Sequence, residues 1–215
     1  MSLYVAHIYT RIVRLFGNPT PIQDLRRRLL PLAEGVVLEI GFGPGVNLSY
    51  YDEGKVRKLY ALEPNEGMLR IARRHPRLSR FDHEFLGLRG EQIPLPDQSV
   101  DTVVSTFTLC TLDGIAEALD GIVRVLKPGG RLLFIENTVS ADPAVRRWQD
   151  AWRPVHRRVF AGLDLTRDVR AHIASAGFTF EADETMYLAA FPKSWTCCCW
   201  GSAIITSPGA AFRTP

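Results

Sequence analysis

No stretch of this 215-residue chain approaches the ~20 consecutive apolar residues a helix needs to cross a bilayer. The opening residues also lack the charged start, apolar run and small-residue cleavage site of a secretory signal. Cysteine is scarce: there are 4, and Cys197, Cys198 and Cys199 are consecutive. That pattern makes neither a disulfide framework nor a C-x-x-C metal pair, so no metal site is predicted and a reduced, cytoplasmic setting is the default. A strong charge of one sign is missing too. The net charge is +3, too small to point to nucleic acid although nearly all the basic residues are arginine. No internal repeat is present. What remains is the length of one α/β domain with a substantial core and a hydrophobic fraction of 46%, ordinary for a soluble protein.

The stretch from Val36 to Leu48 organises the chain. Val36 to Ile40 is apolar except for Glu39, as in a strand buried on both faces of a parallel sheet. Gly41, Gly43 and Gly45 then let the backbone turn sharply and approach a ligand with no Cβ in the way. A helix is expected behind them, its unpaired N–H groups pointing into the same space. The spacing is G-x-G-x-G, with Val46 where the G-x-G-x-x-G dinucleotide fingerprint would have its third glycine. A second acid, Glu63, ends the next apolar run, Leu59 to Leu62. At the tip of a second strand it can accept hydrogen bonds from both hydroxyls of a ribose.

These residues resemble the class I S-adenosylmethionine-dependent methyltransferases, whose signature is an acidic residue followed by G-x-G-x-G. The resemblance implies a single Rossmann-like doubly wound α/β sheet of about seven strands, mostly parallel with the last antiparallel, and helices on both faces. It implies S-adenosylmethionine as cofactor, with S-adenosylhomocysteine as product. The cofactor would be held by Glu39, Gly41, Phe42, Gly43, Gly45 and Asn47 at the first turn, and by Glu63, Pro64, Asn65 and Met68 after the second strand. Residues 1–34 are expected to form helices covering the cofactor cleft and residues 35–215 the methyltransferase domain.

Tyr4, Ile8, Ile12, Val13 and Phe16 recur at helical spacing. This opening helix is expected to pack on its own domain, with weak peripheral contact to a membrane surface as the other use of such a face. A second helix is read around Ile22 to Ala33, with Arg26, Arg27 and Arg28 as a solvated face. Strands are expected at Phe81 to Leu86, from Thr102 to Thr106, at Arg131 to Glu136, near Thr179 to Glu181 and from Trp195 to Ile205. Between them lie helices near Met68 to Ile71 and from Ile115 to Leu126, the latter stopped by Lys127-Pro128-Gly129-Gly130. The family commonly has D-A-E-x-L-P-F where this chain has Arg89-Gly90-Glu91-Gln92-Ile93-Pro94-Leu95. Arg89 replaces the aspartate, so the adenine contact falls to Gly90, Glu91 and Gln92. Thr106, Phe107 and Thr108, where the fourth strand opens onto the ligand crevice, are candidates for the methionine part.

In the carboxyl third, Trp148, Trp152, Val155 and Val159 fall near one helical face flanked by arginines. The stripe reads as a helix packed on the sheet, or as a lid with an aromatic wall. Thr166 or Asp164 is expected to cap a short helix, and the alternating cysteines suit an apolar sheet edge. The block Phe160 to Asp168, with Thr108-Leu109-Cys110 and Ser194-Trp195, is similar to the small thiol methyltransferases of animals. Those relatives carry an amino-terminal membrane anchor, whereas the opening helix of this chain reads as too polar to insert. The acceptor is then a small molecule such as a thiol, with a lipid, quinone or phenol as alternatives. A cofactor-binding regulator without turnover is the reading from another class, and a nicotinamide oxidoreductase is disfavoured by the missing third glycine. A thiol ionises partly at neutral pH and needs little help. A hydroxyl or amine would need proton removal, for which His156 and Asp164 are available; the catalytic residue is left open. His156, on an arginine-rich helix, is expected to be exposed. The oligomeric state is also left open.

Overall fold

A computed structural model describes residues 18–160, 162–188 and 192–205. The expected opening helix and the tail after Ser207 lie outside these described residues. Pro19 and Pro21 start helix α1 (Thr20–Leu29), where a fixed φ and a missing N–H cost nothing. Its buried face is Ile22, Leu25, Arg26 and Leu29. Arg26 is therefore not part of a solvated face, as its run of three arginines suggested; only Arg27 and Arg28 are exposed. Arg26 lies four residues after Ile22 and three before Leu29, so the helical period puts it on the same inward face.

Seven strands form one sheet: β1 (Gly35–Ile40), β2 (Val56–Leu62), β3 (His83–Leu86), β4 (Val100–Thr106), β5 (Leu126–Asn137), β6 (Phe178–Tyr187) and β7 (Cys197–Ile205). Their spatial order is β3-β2-β1-β4-β5-β7-β6. β7 runs antiparallel to both neighbours, and the other six share one direction. Helices α2 (Glu66–Ala72), α3 (Ile115–Val125), α4 (Pro143–Val159) and α5 (Val169–Ser175) complete the doubly wound α/β architecture. Alternation along the strands splits the core in two. Leu38, Ile40, Val103, Leu132 and Phe134 pack with Ile115, Leu119, Ile122 and Ile173 of α3 and α5. Val37, Leu59, Val104, Leu133 and Ile135 pack with Ile22, Leu25 and Leu29 of α1.

Three expectations change. Behind the glycine turn there is a single 3-10 turn, Val46–Ser49, and not an α-helix. The cysteine strand is interior, because β7 sits between β5 and β6. Cys199 and Cys198 face opposite core clusters. The true edge is β6, whose Glu181, Asp183 and Glu184 supply the charge that discourages edge pairing. Finally, Asp168 caps α5 by accepting the Ala171 N–H at 3.0 Å, in place of Thr166 or Asp164.

Candidate functional site

β1 and β4 are neighbours whose crossovers leave in opposite directions, so a crevice opens at their carboxyl ends. Gly41 and Phe42 donate their N–H groups to the Leu62 carbonyl at 2.8 and 3.1 Å, fastening the turn to the end of β2. Gly41 has φ +69°, and a Cβ there would stand 2.0 Å from Thr108 Oγ1. Gly43, at φ +57°, has nothing nearer than the Gly41 carbonyl at 3.9 Å, so its outer side is open. Its N–H points to Glu63 Oε2 at 2.9 Å, while Glu63 Oε1 accepts the Asn65 N–H at 2.8 Å. Burial pushes the Glu63 carboxyl up, and the two N–H bonds partly oppose that. Asn65 in turn caps α2, accepting from Gly67 and Met68. Met68 is buried and Pro64 exposed.

Behind the turn, Glu39 is sealed off. Its Oε1 accepts from Asn47 Nδ2 at 2.8 Å and its Oε2 from the Tyr51 hydroxyl at 2.6 Å. Asn47 Nδ2 also reaches Thr106 Oγ1 at 3.1 Å, and its Oδ1 is buried without a partner. The Phe42 ring is buried against Phe85, so Phe42 offers the crevice backbone only. Burial raises the Glu39 carboxyl to about 8, opposed by Tyr51, Asn47 and Arg26. In the folded protein Glu39 keeps its proton between its ordinary 4.5 and about 8, while the unfolded chain loses it. Stability should therefore fall as pH rises through that window, by on the order of a few kcal/mol. Urea melts of wild type and Glu39→Gln from pH 5 to 8 check this: the variant should lose that downward slope.

The segment after β4 is held from below by an acid that spacing alone did not mark. Glu136 Oε1 accepts from Ser105 Oγ at 2.7 Å and from the N–H groups of Thr108 and Leu109 at 3.0 and 3.1 Å. Its Oε2 accepts the Cys110 N–H at 3.1 Å. The visible signal was a lone acid ending the apolar run Leu132 to Ile135. Phe107, at the bend, has φ +56° and donates its N–H to the Ile135 carbonyl at 2.8 Å. The Arg26 guanidinium lies 5.9 Å from the centroid of the Phe107 ring. Arg26 bonds to Asn18 Oδ1, and its Nε is buried without a partner among the described residues.

Gly90 rests against Ile40 and Leu112, each 3.0 Å from where its Cβ would be. Glu91 and Gln92 line a cavity of about 430 Å³ shared with Glu117 and Arg124 of α3, and Glu91 packs beside Gly114 at the start of α3. Of this trio, only Gly90 stands against the end of β1.

α4 departs furthest from expectation. Trp148, Trp152, Val155 and Val159 are exposed, Trp148 by 60%, and Val145, Gln149 and His156 are the buried face. Gln149 joins the helix to the end of β5, donating to Thr138 O and accepting from Ser140 N. His156 is 1% exposed, not an exposed side chain. Asp164 is fully engaged by Thr166, Arg153 and Arg157. Burial pushes its carboxyl up, but these partners outweigh it and hold it low. Among the described residues, no cluster of His, Cys, Asp and Glu could hold a metal ion, and no helix is long and apolar enough to cross a membrane.

Residues 38–134, from β1 to β5, match a family described as "Methyltransferase domain". Residues 38–134 thus carry a methyltransferase domain. It is 31% identical over 154 residues to thiol S-methyltransferase TMT1B of Rattus norvegicus, covering 68% of this chain and 61% of that protein. It is 32% identical over 127 residues to demethylmenaquinone methyltransferase of Clavibacter sepedonicus, covering 59% of this chain and 51% of that one. The chain thus spans about 61% of the length of the curated thiol methyltransferase. The solved structure of an S-adenosylmethionine dependent methyltransferase from Mesorhizobium loti shares the fold, with TM-score 0.64, 16% identity and coverage of 87% of this chain and 98% of that one. The methyltransferase fold and family imply S-adenosylmethionine as cofactor.

Proposed function

We propose that this protein transfers the methyl group of S-adenosylmethionine to a small-molecule thiol. The observation that carries the reading is the carboxylate of Glu63, preset by two backbone N–H groups beside the open side of Gly43. Each carboxylate oxygen has a further lone pair for a ribose hydroxyl. The unspent groups fit the rest of the cofactor. Its amino-acid end carries an ammonium and a carboxylate, and among the described residues two buried atoms have no hydrogen-bond partner, the acceptor Asn47 Oδ1 and the cationic donor Arg26 Nε. Gly41, Gly45, Thr106, Phe107 and Thr108 shape the floor, Pro64 and Met68 flank the ribose, and Gly90, with the backbone of Glu91 and Gln92, borders the adenine.

Bound there, the cofactor supplies an activated methyl group on sulfonium. The protein supplies position: Glu63 orients the sugar, and Glu136 fixes the loop beneath the methionine end. The thiol acceptor is supported by the printed activity of the rat relative, the quinone or phenol alternative by that of the Clavibacter protein. The four free, buried cysteines support a reducing, cytoplasmic location, and the near-neutral charge supports a small molecule over nucleic acid. Helix α1, whose Arg26 lies beside the Phe107 ring, is read as part of a cover to the cleft. Release of S-adenosylhomocysteine, followed with alkyl thiols, phenols and quinols as acceptors, tests the proposal. Tight cofactor binding with no product from any acceptor would favour the regulator reading; no binding at all would refute both.

A further inference from the structure

A histidine buried with nothing to bond is costly, because an imidazole brings one donor and one acceptor out of water. His156 is 1% exposed, and neither Nδ1 nor Nε2 has a hydrogen-bond partner among the described residues. Its surroundings are rings: Trp195 at 5.2 Å, Phe160 at 6.0 Å and Trp152 at 6.4 Å between centroids. Two of those rings, Trp152 and Trp195, also wall a cavity of about 440 Å³ between α4 and the Lys193–Trp195 turn, together with Val145, Trp148 and Pro192.

The topology sets this cavity beside the crevice. β7 runs antiparallel, so its first residues return to the edge where β4 and β5 end: Asn137 pairs with Cys198, and Thr138 N–H bonds the Cys197 carbonyl. The end of α4 is tied to the loop after β4 through Arg157 to Asp113 and through Asp164 N–H to the Cys110 carbonyl. We propose that the pocket walled by Trp152 and Trp195 receives the methyl acceptor, and that His156 bonds its reacting X–H group and takes the proton. The ligand class is an uncharged, apolar molecule carrying a weakly acidic thiol or phenol. This rests on the methyltransferase reading and adds the acceptor site to it.

In the step, the X–H proton passes to the bare imidazole nitrogen. The electron pair left on X bonds the methyl carbon, the carbon–sulfur bond breaks with its pair staying on sulfur, and the imidazolium returns its proton to water. Charged neighbours do not compete for the ring. Arg153 and Arg157 on the same helix are paired with Asp164 and Asp113, and Lys193 lies over the Tyr187 ring. Burial alone lowers the imidazole from its ordinary value, keeping it neutral and able to accept at physiological pH.

The test compares wild type, His156→Asn and Trp195→Ala. With an alkyl thiol, His156→Asn should lower kcat/KM by about 100-fold or more. With thiophenol, already ionised at neutral pH, the loss should be less than about tenfold, since general-base help is then not needed. Calorimetric affinity for S-adenosylmethionine should stay unchanged in both variants, and Trp195→Ala should raise KM more than it lowers kcat. Independently of turnover, 2-naphthol added to wild type should quench tryptophan emission and move the His156 ring resonance in proton NMR. Equal loss with both thiols, or a His156 resonance that ignores 2-naphthol, overturns the proposal. Loss of cofactor binding in wild type would instead defeat the underlying methyltransferase reading.

Discussion

Replacing Glu63 with alanine should weaken S-adenosylmethionine binding by more than 100-fold while leaving the fold intact. The magnitude follows from what the carboxylate does. It would lose two ribose hydroxyls bonded to a charged acceptor, each worth about 1.5–3 kcal/mol, so about 3 kcal/mol in all is a conservative sum. It would also release the N–H groups of Gly43 and Asn65, loosening the turn that faces the cofactor. Glu63→Gln keeps one acceptor oxygen and should lose closer to tenfold. Gly43→Val tests the same surface from the other side, since it forces a branched side chain at φ +57° into the open face of the turn. Titration calorimetry, with circular dichroism to verify folding, reads all three. Unchanged affinity in Glu63→Ala would remove the ribose assignment and with it the placement of the cofactor.

The second large effect is on stability. Glu136→Ala strips the shared acceptor from Ser105, Thr108, Leu109 and Cys110, leaving four buried donors without partners. Each buried donor left unsatisfied costs about 1–3 kcal/mol, so the four together cost at least about 4 kcal/mol. At about 2–4 °C per kcal/mol for a domain of this size, the melting temperature should fall by about 10 °C. Cofactor affinity should fall as well, because the freed segment includes Thr108 and follows the strained Phe107. A thermal shift below about 2 °C would show that the loop holds itself without Glu136.

What the sequence made legible was local chemistry. Three glycines and two acids at set spacings located the crevice, since tight turns and strand tips are properties of a few adjacent residues. Burial of polar groups was not legible, because it depends on partners far along the chain. Arg26 and His156 look like surface residues beside other arginines, and charged or polar side chains usually are. Each is enclosed here by rings contributed from elsewhere, Phe107 for one and Trp195 for the other. Glu136 was half visible as an acid ending an apolar strand; its four donors come from β4 and the loop after it, 26 to 31 positions away. No pattern marked the short 3-10 turn after Gly45, and the stripe of α4, read as packed on the sheet or as a lid, faces outward because period alone does not say which face a helix turns inward.

The reversed direction of β7 has an evolutionary consequence. A sheet with seven co-directional strands would bring its last segment in at the far rim, remote from the reacting centre. Running the final strand backwards returns Pro192–Trp195 to the rim where β4 and β5 end, so side chains there can change with the acceptor while the other half of the sheet, proposed to grip the methyl donor, stays as it is.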